Sequence, residues 1–158
     1  MRPHIVGVIG GSELSPELYH AAELIGREVA LRRAVLITGG LSGAMEAAAK
    51  GAKAVGGLTI GVLPGFSSQD ANPYIDLPIV TGLSEARNII IVRTAAVLIA
   101  VGGGPGTLSE IAFALKLHKP VLSLDSWYVA DEIIRVQTPQ EAVAQAFELL
   151  DSTGARRL

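Results

Sequence analysis

"AVLIAVGGGPGTLSEIA", residues 96–112, runs from an unbroken apolar segment into a loop of four glycines and one proline, then into a helical pattern. An apolar run without alternation suits a strand covered on both faces, as in a parallel sheet. The glycines free the backbone to turn sharply and approach a neighbour closely, at an entropic cost that a plain connector need not carry. The helix is read from Thr107 to Lys119, with Thr107 as N-cap and Glu110 three residues on, the T-x-x-E capping pattern.

The same unit of strand, loop and helix recurs in both directions. "HIVGVIG" (4–10) reads as a buried strand, followed by Gly10-Gly11-Ser12 and a helix opened by Ser15 as N-cap with Pro16 at its first position. "AVLITGG" (34–40) is a second strand, continued by Leu41-Ser42-Gly43 and a small-residue helix over 43–56. "LTIGVLPG" (58–65) is a third. "IDLPIVTG" (75–82) is a fourth, and Pro78 within it predicts an edge position. A helix over 84–95 leads into the quoted strand. "PVLSLD" (120–125) and "IIRV" (133–136) add a sixth and a short seventh strand, and a Thr138/Glu141 capping box with Pro139 opens a last helix over 138–150.

Alternation of this kind predicts an α/β fold: a doubly wound, Rossmann-like, mainly parallel sheet with helices on both faces, as a single domain over residues 1–158. In such sheets ligands bind beyond the carboxyl ends of the strands, where the winding reverses. Three glycine clusters fall at those ends, each ahead of a helix. A helix N-terminus offers unpaired N–H groups and partial positive charge, so these loops predict an anion cradle. Its expected members are Gly10, Gly11, Ser12, Gly39, Gly40, Ser42, Gly103, Gly104, Gly106 and Thr107. Arg87 is expected to supply the counter-charge. It stands at the start of the helix after the fourth strand, whose end is expected close to the fifth-strand loop, and its guanidinium suits a phosphate fork.

Composition removes several classes. Hydrophobic residues make up 49% of the 158, and charged ones 18%, which is incompatible with a disordered chain. A net charge of −2 argues against nucleic acid as a partner. There is no cysteine, hence no thiolate chemistry and no cysteine metal site, and His4, His20 and His118 have no ligand spacing, so no metal site is expected. No apolar run approaches the roughly 20 residues of a membrane span, so no membrane partner and a cytoplasmic location are expected. "GGGPGTLSE" lacks the Walker lysine, "GVIGGS" lacks the G-x-G-x-x-G spacing, and "TGG" at the second strand end offers no acid for a ribose. Asp70 and Asp76 are read as loop and strand-end residues, and Trp127 and Tyr128 as packing at the sheet's edge. The apolar "NIIIV" (88–92) on a helix predicts a subunit interface, hence a homo-oligomer, a dimer or an assembly of dimers.

"GGGPGTLSE" (102–110) resembles the P-G-G-x-G-T-x-x-E motif of the LONELY GUY phosphoribohydrolases, the lysine-decarboxylase-like Rossmann superfamily. Arg87 lies 23 positions before Glu110, the spacing of that family's arginine, and "TGGLSGAM" (38–45) resembles its G-G-G-x-x-G-L-M segment. Gly102 stands where the hydrolases have proline, and Asn88 where they have lysine. "EARN" followed by "GGGPGTLSEIAFALK" is closer to the molybdenum-cofactor carrier proteins. That branch implies binding of a phosphorylated pterin, with the molybdenum cofactor as carried ligand, no cofactor needed for folding, and Asn88 and Glu110 among the binding residues. The hydrolase branch implies cleavage of the N-glycosidic bond of a nucleoside 5′-monophosphate, with Arg87 and Glu110 catalytic.

Overall fold

The computed structural model describes residues 2–154. Its elements are β1 (Ile5–Gly10), α1 (Pro16–Leu31), β2 (Val35–Thr38), α2 (Ala44–Ala54), β3 (Thr59–Leu63), β4 (Leu77–Val80), α3 (Asn88–Thr94), β5 (Val97–Val101), α4 (Pro105–Lys116), β6 (Val121–Leu124), β7 (Ile134–Val136) and α5 (Pro139–Gly154). The seven strands form one sheet in the order β4-β3-β2-β1-β5-β6-β7, every neighbouring pair parallel. The fold is doubly wound and Rossmann-like, as expected.

The chain walks outward from β1 to β4, then returns to the other side of β1 at β5. Right-handed crossovers in opposite directions put their helices on opposite faces. Successive strand residues point to alternate faces and meet those helices. Val6, Val8, Val97, Ile99 and Val101 pack with α1, α2 and α5, while Ile9, Leu98 and Ala100 pack with α3 and α4. The winding reverses between β1 and β5, and the crevice opens there.

Three helices open on proline. Ser15 Oγ accepts from Leu18 N at 3.2 Å ahead of Pro16. Thr138 Oγ1 accepts from Glu141 N at 3.1 Å ahead of Pro139, and the Glu141 carboxylate takes the N–H of Gln137, one residue before the cap. The third corrects the sequence reading. α4 starts at Pro105, with Gly104 as N-cap, so Thr107 is not the cap and Glu110 lies a turn inside the helix rather than in a capping box. The fixed φ of proline pre-forms the first helical position and overrides the weaker T-x-x-E signal.

β4 is an edge strand, as Pro78 predicts, and all four of its residues are exposed. The helix expected over 84–95 divides into a 3-10 turn (Ser84–Arg87) and the short α3. Within "NIIIV", Ile91 and Val92 are fully buried inside the chain's own core, so this much of the run needs no second subunit. Exposed large apolar side chains around β3 and β4 include Leu58, Phe66, Leu77, Ile79, Val80 and Leu83. No helix among the described residues is long and apolar enough to cross a membrane.

Candidate functional site

A cavity of about 280 Å³ sits over the carboxyl ends of β1 and β5, at the reversal point. Four segments wall it. β1 and its loop contribute Val8, Ile9, Gly10, Gly11 and Ser12; the β2 loop and α2 contribute Gly39, Leu41 and Met45. Arg87 and Asn88 enter from the start of α3, and Gly104, Pro105, Gly106, Thr107 and Glu110 from α4. Ten of the thirteen residues singled out from the sequence therefore line one space. Gly40, Ser42 and Gly103 do not line it. Ser42 Oγ donates to Ser12 O at 3.1 Å, tying the β1 and β2 loops together.

Two glycines are fixed by geometry. A Cβ on Gly10 would lie 2.1 Å from the carbonyl oxygen of Val101, so β1 and β5 approach each other only with glycine there. Gly103 has φ +125°, and a Cβ on it would lie 2.4 Å from Thr107 Oγ1. It lets the backbone turn straight from β5 into the first turn of α4, which borders the cavity and whose leading N–H groups have no partner within the helix. The β6–β7 connection supports that turn from behind. Trp127 Nε1 donates to Gly104 O at 3.0 Å, and Ser126 Oγ donates to Gly102 O.

The route by which Arg87 arrives differs from the expected one. The end of β4 lies at the sheet edge, separated from β5 by β3, β2 and β1, not beside the fifth-strand loop. α3 instead crosses back under the sheet to pack on α4, and the 3-10 turn that leads into it brings Arg87 over the end of β3. There Arg87 Nε donates to Val62 O at 2.9 Å, and a terminal nitrogen donates to Asn88 Oδ1. The guanidinium lies against the backbone of Gly39, where a Cβ would be 2.8 Å from Nη2.

Glu110 is 7% exposed and lines the cavity. Burial pushes its carboxyl up to about 7, with the attraction of Arg87 opposing the rise. Burial likewise lowers Arg87 from its ordinary value, with Glu110 and Glu85 opposing. The two side chains form no direct ion pair within 4 Å. Both charged ends therefore remain open to a molecule placed between them. The first turn of α4 and Arg87 can hold an anion; Glu110, a turn deeper, can meet a polar but uncharged part of the same molecule.

Other sequence candidates lie elsewhere. Asp76 pairs with Lys53 at 2.9 Å and accepts from Thr59 N at 3.0 Å, stapling β3 to the segment before β4. Among the described residues no three His, Cys, Asp or Glu side chains gather in a metal-binding group. Sequence reasoning missed Val8, Ile9, Leu41, Met45 and Pro105 as lining residues. Leu41 and Met45 stand inside the "TGGLSGAM" segment already quoted, so a signal for them was present.

A family profile described as the SLOG cluster4 family matches residues 3–151. An uncharacterized protein of Archaeoglobus fulgidus is 47% identical over 138 residues, 87% of this chain and 91% of that one. A cytokinin riboside 5′-monophosphate phosphoribohydrolase of Mycobacterium tuberculosis is 35% identical over 120 residues, 70% of this chain but only 64% of its own length. Among solved structures, the molybdenum cofactor binding protein of Rippkaea orientalis superposes with a TM-score of 0.90 at 38% identity, covering 95% of this chain and 99% of that one. The molybdenum cofactor carrier protein of Chlamydomonas reinhardtii gives 0.87 at 39% identity, with 95% and 99% covered.

Proposed function

The chain belongs to the SLOG cluster4 family, within the LONELY GUY-like Rossmann superfamily, and on that premise we propose that it binds and carries a phosphorylated small molecule, a phosphorylated pterin of the molybdenum-cofactor type. One observation carries this reading: Arg87 and the amide-bearing first turn of α4 face the same 280 Å³ cavity at the reversal point. The phosphate would sit on the N–H groups of Gly104, Gly106 and Thr107, with Arg87 as its charged partner. Gly10–Ser12 and Gly39 would form the floor, and Glu110 would face the ring. The near-complete coverage of two molybdenum-cofactor proteins supports the pterin as cargo. When bound, that cargo brings its metal with it; the protein supplies the phosphate grip and the shaped cavity.

A second reading is favoured by one feature. A carboxyl held near pH 7 inside a cavity is suited to general acid–base work. Phosphoribohydrolysis of a nucleoside 5′-monophosphate would use Glu110 to orient water or to steady an oxocarbenium-like centre. Incubation with a panel of nucleoside 5′-monophosphates separates the two readings. The expected result is no release of free base above the buffer blank. Base release by the wild type that disappears in Glu110→Gln overturns the carrier reading in favour of the hydrolase.

A further inference from the structure

We propose that Asn88 and Ser109 are positioning residues: a hydrogen-bonded relay from Arg87 through Asn88 and Ser109 to the carbonyl of Gly106 locks the guanidinium to the first turn of α4. This rests on the reading that Arg87 and that turn meet one anion.

Asn88 is 3% exposed, and both ends of its amide are engaged. Its Oδ1 accepts from Arg87, and its Nδ2 donates to Ser109 Oγ at 3.1 Å. Ser109 Oγ in turn donates to Gly106 O at 2.7 Å. Gly106 belongs to the first turn of α4, which lines the cavity. The relay therefore joins the two halves of the cradle, which come from separate helices.

The chemistry of each member is constrained. An asparagine amide presents an acceptor and a donor at once. Aspartate at position 88 would accept from Arg87 but could not donate to Ser109, and lysine could not accept from Arg87 at all. Arg87 has five N–H donors, of which Nε is spent on Val62 O and one more on Asn88. The others stay in a fixed plane with no rotamer search left for a ligand to suppress. Serine near a helix start often bonds the carbonyl three residues back for local reasons alone. Here the same hydroxyl also receives the Asn88 amide, which a purely local bond does not require.

Two measurements test this. The first needs no ligand: hydrogen exchange of the Arg87 Nε–H, followed by NMR in the unliganded protein. Ser109→Ala is expected to speed exchange by about three- to tenfold, the effect of one neutral hydrogen bond, and Ser109→Thr, which keeps the hydroxyl, is expected to restore it. The second is a double-mutant cycle on the affinity for inorganic phosphate. Ser109→Ala should weaken binding by about the same factor in the wild type and have no further effect in Arg87→Ala. Unchanged Arg87 exchange in a folded Ser109→Ala variant, or an equal loss of affinity in both backgrounds, overturns the relay. If wild-type protein ignores phosphate, the binding reading fails, and the exchange measurement still decides the relay.

Discussion

Arg87→Ala is expected to weaken binding of phosphomonoesters ten- to a hundredfold, measured by titration calorimetry. Charge-assisted hydrogen bonds contribute roughly 1.5–3 kcal/mol each, which sets that range. The arginine is half-buried, so salt screens it less than a surface charge. It is also held before the ligand arrives, by Val62 O, Asn88 and the backbone of Gly39. Little ordering entropy is then left to lose on binding. Arg87→Lys is expected to recover only part of the affinity. A lysine ammonium has no planar fork and cannot hold Val62 O, Asn88 and a phosphate in one geometry. An Arg87→Ala protein that binds within twofold of the wild type would remove Arg87 from the site.

The second large effect is on stability. The Glu110 carboxyl has its ordinary value of 4.5 in the unfolded chain and about 7 in the folded one. As pH rises from about 4.5, the unfolded chain ionises first while the folded chain keeps its proton. The stabilisation is therefore complete below about 4.5, is lost as pH rises towards 7, and changes no further above that. The full loss is on the order of 3 kcal/mol. In a domain of this size each kcal/mol moves the melting temperature by about 2–4 °C. Glu110→Gln carries no titrating proton, so its melting temperature should not show this fall between pH 5 and pH 7.5, and at pH 8 the variant should melt above the wild type. Thermal melts across that range check both statements. A wild-type profile that is flat, or that Glu110→Gln leaves unaltered, contradicts the placement of Glu110. A buried carboxyl that the free protein holds at a cost fits a binding group better than a structural one.

Much of this was legible in the chain. Unbroken apolar runs such as "AVLIAV" declare buried parallel strands, and Pro78 marked an edge strand. The glycine clusters marked the carboxyl ends of β1, β2 and β5, and ten of the thirteen residues chosen from them, from the Arg87–Glu110 spacing and from the family resemblance line one cavity. What failed was non-local or a contest between two local signals. Pro105 set the start of α4 against the Thr107/Glu110 capping pattern; Ser15-Pro16 and Thr138-Pro139 followed the proline rule, and applying it at Gly104-Pro105 would have given the right start. Strand order is not written in any single strand, so the path of Arg87 over β3 could not be read from its distance in sequence to β5. The double engagement of Asn88 depends on α3 meeting α4, a tertiary contact with no periodic signature.

Native mass spectrometry of the protein as purified from the cells that make it tests the binding of a phosphorylated small molecule most directly. The expected spectrum contains the 16.4 kDa chain, alone or assembled, with a retained mass that dissociates as a phosphorylated pterin. Bare protein, combined with a melting temperature that neither phosphate, nucleotides nor phosphorylated pterin can shift, would contradict the claim and reduce the glycine loops to turns.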